Sequence, residues 1–247
     1  MSLAHMSTVR RRCANAHHVI IFQVFCLAII LVGSTADSAE SYSKYPDLKG
    51  LEQYYHYQTI NGEKVELQVY YECLCPDCTS FHLGPLDDVY KKIGSYINLK
   101  LYPYGNAKRT EENGKTVITC QHGPAECYGN KLHACAIDIL KDISKSEFYN
   151  SCMMNGTWGG RGSTDLDATN CGQSMGIDSK PIIACAKSKR GEDLLEYYGK
   201  ETDRLINKTY VPWVLINGEL FDTDDDLMKK ICETLSNSPP PCAELRD

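Results

Sequence analysis

Thirteen cysteines in a chain of 247 residues limit what it can fold into more than any other feature, and the N-terminus says which environment they meet. Arg10, Arg11 and Arg12 form a basic start, Val19 to Val32 is an almost unbroken apolar run, and Ser34-Thr35-Ala36 places small residues where a signal peptidase needs them. The run is shorter than the ~18 residues expected of a spanning helix, which favours a cleaved signal peptide over residues 1–36 rather than a type II anchor. Cys13 and Cys26 leave with it, so eleven cysteines remain for an oxidising compartment. An odd number leaves one sulfur without an intramolecular partner, or one shared between chains.

Three of the 26 basic residues also go with the leader, so 23 then face 32 acidic ones and the mature net charge is −9. An acidic chain without a basic stripe argues against nucleic acid and against anionic membrane surfaces as partners, and nothing anchors it once the signal is gone. Asn155-Gly156-Thr157 and Asn207-Lys208-Thr209 are glycosylation sequons, in keeping with the secretory pathway.

Residues 37–60 read as a polar lead-in. Asn61-Gly62 is a hairpin turn signal, and the alternating Lys64–Tyr71 is a strand. After the cysteines, Phe81, Leu86, Val89, Tyr90 and Ile93 recur at helical spacing across a break at Gly84-Pro85, and Ile97–Tyr102 is the next strand. The pattern from about 126 to 205 is helical, with helices expected near Glu126–Leu140, Lys145–Met153, Leu166–Ser174, Pro181–Lys187 and Glu192–Leu205. A strand at Trp213–Ile216, the turn Asn217-Gly218, a second short strand and a helix from Asp224 to Leu235 follow, and residues 237–247 form an extended tail. The order predicts one disulfide-rich α/β domain over 61–236 with a helical insertion.

Cys75-Pro76-Asp77-Cys78 falls between the first strand and the first helix. Pro76 suits the first helical position, so Cys75 lies at a helix N-terminus where free amides and the dipole favour a thiolate. Cys78 is one turn along, close enough to close a disulfide, which is the layout of a thiol–disulfide exchange centre. Three alternatives stand beside it: a zinc site from Cys73, Cys75, Cys78 and His82, although Cys73-x-Cys75 is an unusual ligand spacing; static bridges; and an oxidase or isomerase on the same frame. Far along the chain, Val211-Pro212 precedes the strand Trp213–Ile216. In thioredoxin-like folds a cis-proline stands there, facing the C-x-x-C; an ordinary trans proline at a strand start is the other reading.

The stretch CQHGPAECYGNKLHAC, Cys120 to Cys135, resembles the C-Q-H-G-x-x-E-C-x-x-N-x-x-x-x-C signature of the gamma-interferon-inducible lysosomal thiol reductase family. It matches at Cys120, Gln121, His122, Gly123, Glu126, Cys127, Asn130 and Cys135. The likeness extends to YYE at Tyr70–Glu72, YPYGNA at Tyr102–Ala107 and YVPWVLING at Tyr210–Gly218. The resemblance implies a thioredoxin-like fold with a helical insertion, and a soluble glycoprotein that reduces protein disulfides at acidic pH in endosomes, lysosomes or after secretion. Its substrates would be disulfide-containing, unfolded proteins. It would carry no bound cofactor or metal and draw on an external small-thiol reductant. Carried over, Cys75 is the nucleophile and Cys78 the resolving cysteine, while Cys120, Cys127, Cys135, Cys152, Cys171, Cys185, Cys232 and Cys242 form a disulfide framework of unassigned connectivity.

His122 reads either as a proton donor near the site or as a buried, satisfied loop histidine. Cys73, where the family has another residue, is the odd sulfur. It is a partly buried spare thiol, a competitor of Cys78, a capped thiol, or the bridge of a disulfide-linked dimer. A rival class, a secreted disulfide-stabilised binding protein without turnover, would be favoured by loss of either C-x-x-C cysteine, and both are present.

Overall fold

The computed structural model describes residues 64–155, 162–236 and 239–243. The leader, the lead-in and the turn expected at Asn61-Gly62 lie outside them.

The alternation of Val65–Tyr71 (β1) does what its period dictates: Val65, Leu67 and Val69 are buried while Glu66 and Gln68 stay partly exposed. β1 lies at the centre of the sheet. It runs parallel to Ile97–Pro103 (β2), with Val65 opposite Ile97, and antiparallel to Trp213–Ile216 (β5), with Leu67 opposite Ile216. Glu219–Phe221 (β6) pairs with β5 to complete the order β2-β1-β5-β6. Parallel β1 and β2 need a crossover. It is supplied by Pro76–Phe81 (α1), a π turn at His82–Leu86 and Asp87–Ile93 (α2). Pro85, which lacks an N–H, sits inside that π turn, so the expected break is a slip of the hydrogen-bond ladder. On the other side, Asn217 and Gly218 turn β5 into β6 with positive φ of 50° and 84°, and Asn217 Oδ1 accepts the Glu66 N–H at 2.8 Å. Leu227–Thr234 (α8) follows, capped by Asp226.

Between the two halves comes a hairpin not expected from the sequence, Lys108–Glu112 (β3) and Lys115–Thr119 (β4), turning at Asn113-Gly114. Among the described residues five helices then form the insertion, where five were expected: Pro124–Leu140 (α3), Ile143–Asn155 (α4), Asp165–Met175 (α5), Lys180–Ala186 (α6) and Lys189–Thr202 (α7). Leu132, Tyr149, Met153, Ile182 and Tyr198 close on one another and on Tyr104 from the loop after β2, which ties the insertion to the sheet. Disulfides join Cys120 to Cys127, Cys135 to Cys185, Cys152 to Cys171 and Cys232 to Cys242, using all eight expected framework cysteines.

The extended tail is corrected: Pro240–Ala243 (α9) is a short helix, because a proline fits a first turn and the Cys242 bridge draws it onto α8. Both sequon asparagines, Asn155 and Asn207, are exposed. Among the described residues no helix is long and apolar enough to cross a membrane. The βαβ and ββα halves, separated by a disulfide-braced helical insertion, make a thioredoxin-like fold.

Candidate active site

β1 ends at Tyr71 and α1 begins at Pro76, so the intervening loop carries Cys75 to the helix start. There its sulfur is itself the N-cap, accepting the Cys78 N–H at 3.5 Å. Cys75 keeps 7% of its surface exposed while Cys78 is fully buried. The two thiols are accordingly unequal. The hydrogen bond from the Cys78 thiol, helped by the amides of Cys78 and Asp77 and opposed by burial and by the Glu72 charge, pulls Cys75 down to about 7. Burial pushes Cys78 well above its ordinary value.

Val211-Pro212 is cis, and the Val211 carbonyl faces Cys75 Sγ at 4.0 Å. The sequence placed these two pieces 136 residues apart; pairing of β5 on β1 brings them together. Val211 and Pro212 form one wall of a groove of about 690 Å³, whose rim includes Asp77, Phe81, Tyr210, Asp222 and Asp224. Two of the four residues of the zinc reading are engaged away from the Cys75–Cys78 pair: His82 is buried against Glu147 at 3.0 Å, and Cys73 Sγ points to the Glu126 carbonyl at 3.6 Å.

Cys73 is corrected from a partly buried thiol to a fully buried one. Its N–H donates to Asn130 Oδ1 at 2.9 Å and α3 covers its sulfur, so burial raises the thiol well above the usual range. That enclosure leaves Cys73 with no exposed surface.

His122 matches neither expectation in full. A third of its side chain is exposed, and Nδ1 lies between two buried carboxylates, 2.5 Å from Glu126 Oε2 and 3.3 Å from Glu72 Oε1. Burial works against its charge, but the Glu126 hydrogen bond and the Glu126 and Glu72 charges outweigh that and raise its pKa. Burial also raises Glu72. Glu72 and Asn130 escaped the sequence reading as members of this site. The signal for Glu72 was present, an acid directly after an apolar strand and three residues before the nucleophile position. The remaining signature positions hold the loop: Gln121 Oε1 accepts from Asn106 Nδ2 at 2.7 Å, and Gly123, at φ 85°, starts α3.

A low-pKa thiol capping a helix, a buried partner thiol one turn on and a cis-proline loop facing them, on a thioredoxin-like sheet, define a thiol–disulfide oxidoreductase. A family model described as gamma interferon inducible lysosomal thiol reductase matches residues 66–175. The gamma-interferon-inducible lysosomal thiol reductase-like protein of Anopheles gambiae is 33% identical over 201 residues, covering 74% of this chain and 81% of that one. The gamma-interferon-inducible lysosomal thiol reductase of Mus musculus is 30% identical over 193 residues, covering 74% and 73%. The chain belongs to the gamma-interferon-inducible lysosomal thiol reductase family. Among solved structures it is similar to the reduced form of the disulfide bond oxidoreductase DsbG from Mycobacterium tuberculosis, with a TM-score of 0.53 at 16% identity over 73% of this chain and 83% of that one. A putative protein disulfide isomerase from Nitrosomonas europaea gives a TM-score of 0.50 at 10% identity over 69% and 95%. At such identities these two speak for the fold alone.

Proposed function

We propose that this oxidoreductase works as a reductase of protein disulfides in the acidic branch of the secretory pathway, or after secretion, with Cys75 as nucleophile and Cys78 as resolving thiol. The Cys75 thiolate attacks one sulfur of a substrate disulfide, forming a mixed disulfide and expelling the other sulfur as a thiolate that takes up a proton. Cys78 then gives up its proton and attacks Cys75, releasing the second substrate thiol and leaving a Cys75–Cys78 disulfide. No bound cofactor takes part; two electrons from an external small thiol restore the dithiol. Backbone groups of Val211 pair with the extended substrate in the groove beside Pro212.

The observation that carries this reading is the unequal pair: a nearly enclosed sulfur capping α1, its partner buried behind it, and the Val211 carbonyl in front. A pKa of about 7 leaves about 1% thiolate at pH 5, against roughly one part in three thousand for an ordinary cysteine. The exposed Asn155 and Asn207 fit a glycosylated secretory protein.

The test follows reduction of a denatured disulfide protein at about pH 4.5 and about pH 7 with a small thiol as electron source. Cys75→Ser is expected to abolish turnover and Cys78→Ser to accumulate mixed disulfides. Wild-type turnover by Cys75→Ser would remove the nucleophile assignment, and no measurable reduction by the wild-type chain at pH 4.5 would remove the acidic setting.

A further inference from the structure

Two motif segments that the exchange reaction does not use meet beside it. Glu72, His122 and Glu126 each offer one ligand atom within 4.8 Å of the other two. Each carboxylate is fixed by a backbone amide on its other oxygen: Glu72 Oε2 accepts the Asn106 N–H at 2.8 Å, and Glu126 Oε1 accepts the His122 N–H at 2.9 Å. The two remaining oxygens turn toward the same His122 Nδ1. That nitrogen carries at most one hydrogen, and Glu126 takes it at 2.5 Å. Glu72 Oε1 is left fully enclosed with no hydrogen-bond partner, an unfavourable state for a buried carboxylate oxygen. The Lys208 ammonium donates to Asn106 Oδ1 at 2.7 Å and acts on Glu72 through its charge.

We propose that Glu72, His122 and Glu126 form a binding site for one divalent metal ion of the zinc class, next to the redox pair. An ion placed between the three atoms takes the position of the proton held between His122 and Glu126 and gives the orphaned oxygen a partner. Two carboxylate oxygens with one imidazole nitrogen suit a borderline first-row ion. The nitrogen disfavours magnesium and calcium, and the lack of a thiolate among the three disfavours copper(I). Three protein ligands leave a coordination position for water. The amide bonds to the outer oxygens are the kind of support that orients metal ligands, and the third of His122 that is exposed provides the way in. Gly105 keeps the cradle open, because a Cβ there would run into Glu72 Oε2. The Glu72 carbonyl accepts the Cys75 N–H at 3.4 Å, so the ion would sit on the loop that carries the nucleophile.

The test uses the tag-free mature chain with the Cys75–Cys78 disulfide closed, so that those thiols contribute no ligand. Titration with zinc chloride near neutral pH, followed by calorimetry, is expected to give one ion per chain. Glu72→Gln, Glu126→Gln and His122→Ala should each weaken binding about tenfold or more. Far-UV circular dichroism checks the fold of each variant, and if the buried Glu126→Gln does not fold, His122→Ala at its partly exposed position still decides. Cobalt added to the wild-type chain should give visible d–d bands without a thiolate charge-transfer band. Absence of stoichiometric zinc, unchanged affinity in the folded variants, or a thiolate band would overturn the site. None of these readouts requires turnover, so their failure leaves the reductase reading untouched.

Discussion

Gly129 on α3 has no room for a methyl group: a Cβ there would run into Cys73 Sγ and stand 2.9 Å from Ser163 Cβ. Glycine to alanine inside a helix ordinarily gains about 1 kcal/mol, whereas overpacking costs about 1–3 kcal/mol, and both obstacles are buried. Gly129→Ala is therefore expected to lower stability in urea denaturation, and Cys73→Ala in the same chain should restore part of the loss. A loss that Cys73→Ala leaves unchanged would mean the strain lies elsewhere. The neighbouring Cys75 makes a second claim at this scale. Its thiolate is the reactive form, so alkylation by iodoacetamide should rise with pH through a midpoint near 7, below the ordinary value of about 8.5. Cys78→Ala removes the largest cause of the shift and should move the midpoint upward. A wild-type midpoint at 8.5 or higher would contradict the hydrogen-bonded thiolate.

Helix α3 turns the signature into geometry: Cys120–Cys127 closes the loop before it, Asn130 holds the Cys73 N–H, and Cys135 reaches Cys185 on α6. The elements that period and caps define were legible in the sequence. β1, β2, β5 and the five insertion helices read directly from alternation, helical spacing and proline or glycine boundaries. The β3–β4 hairpin was not, although Asn113-Gly114 announces its turn. Its residues are mostly exposed, so no apolar alternation marks the strands. In the site, Cys75, Cys78 and Pro212 were legible because motif and position fix them, while the convergence of Glu72 with His122 and Glu126 depends on β1 packing beside α3, which no local pattern encodes. Nor does spacing choose among disulfide pairings. In the chain-entropy account the bridge spanning the longer loop counts for more. Replacing Cys135 and Cys185, 50 residues apart, by alanine should cost about 4 kcal/mol, against about 3 kcal/mol for Cys232 and Cys242, 10 apart. Urea denaturation of both double variants checks the order, and the reverse order would put native packing above loop closure.

Across the whole molecule, sheet and insertion are joined by a buried polar chain in which the pH response of global stability is written. Tyr71 Oη of β1 meets His133 Nδ1 of α3 at 3.0 Å, His133 Nε2 meets Ser163 Oγ at 2.9 Å, and Asn150 of α4 donates to Tyr71 Oη at 3.2 Å. Burial, and then the nearby His82, push His133 down to about 3. The unfolded chain therefore binds a proton there that the folded chain refuses. The stabilising contribution is complete above pH 6.5 and is lost as pH falls from there toward 3, about 2 kcal/mol of it by pH 5. Raised Glu72 and His122 act the opposite way, favouring the fold in acid and giving up that contribution as pH rises through their folded values. Disulfides closing the insertion do not titrate, so they hold the helices together in the range where His133 weakens the join. His133→Gln keeps hydrogen-bonding groups and removes the titration. Its stability at pH 7 should fall below wild type, while its further loss between pH 7 and pH 5 should be smaller than that of the wild type by about 2 kcal/mol. Because Glu72 and His122 are common to both chains, subtracting the two urea-denaturation curves isolates His133, and parallel curves would show that acid reaches the fold by another group.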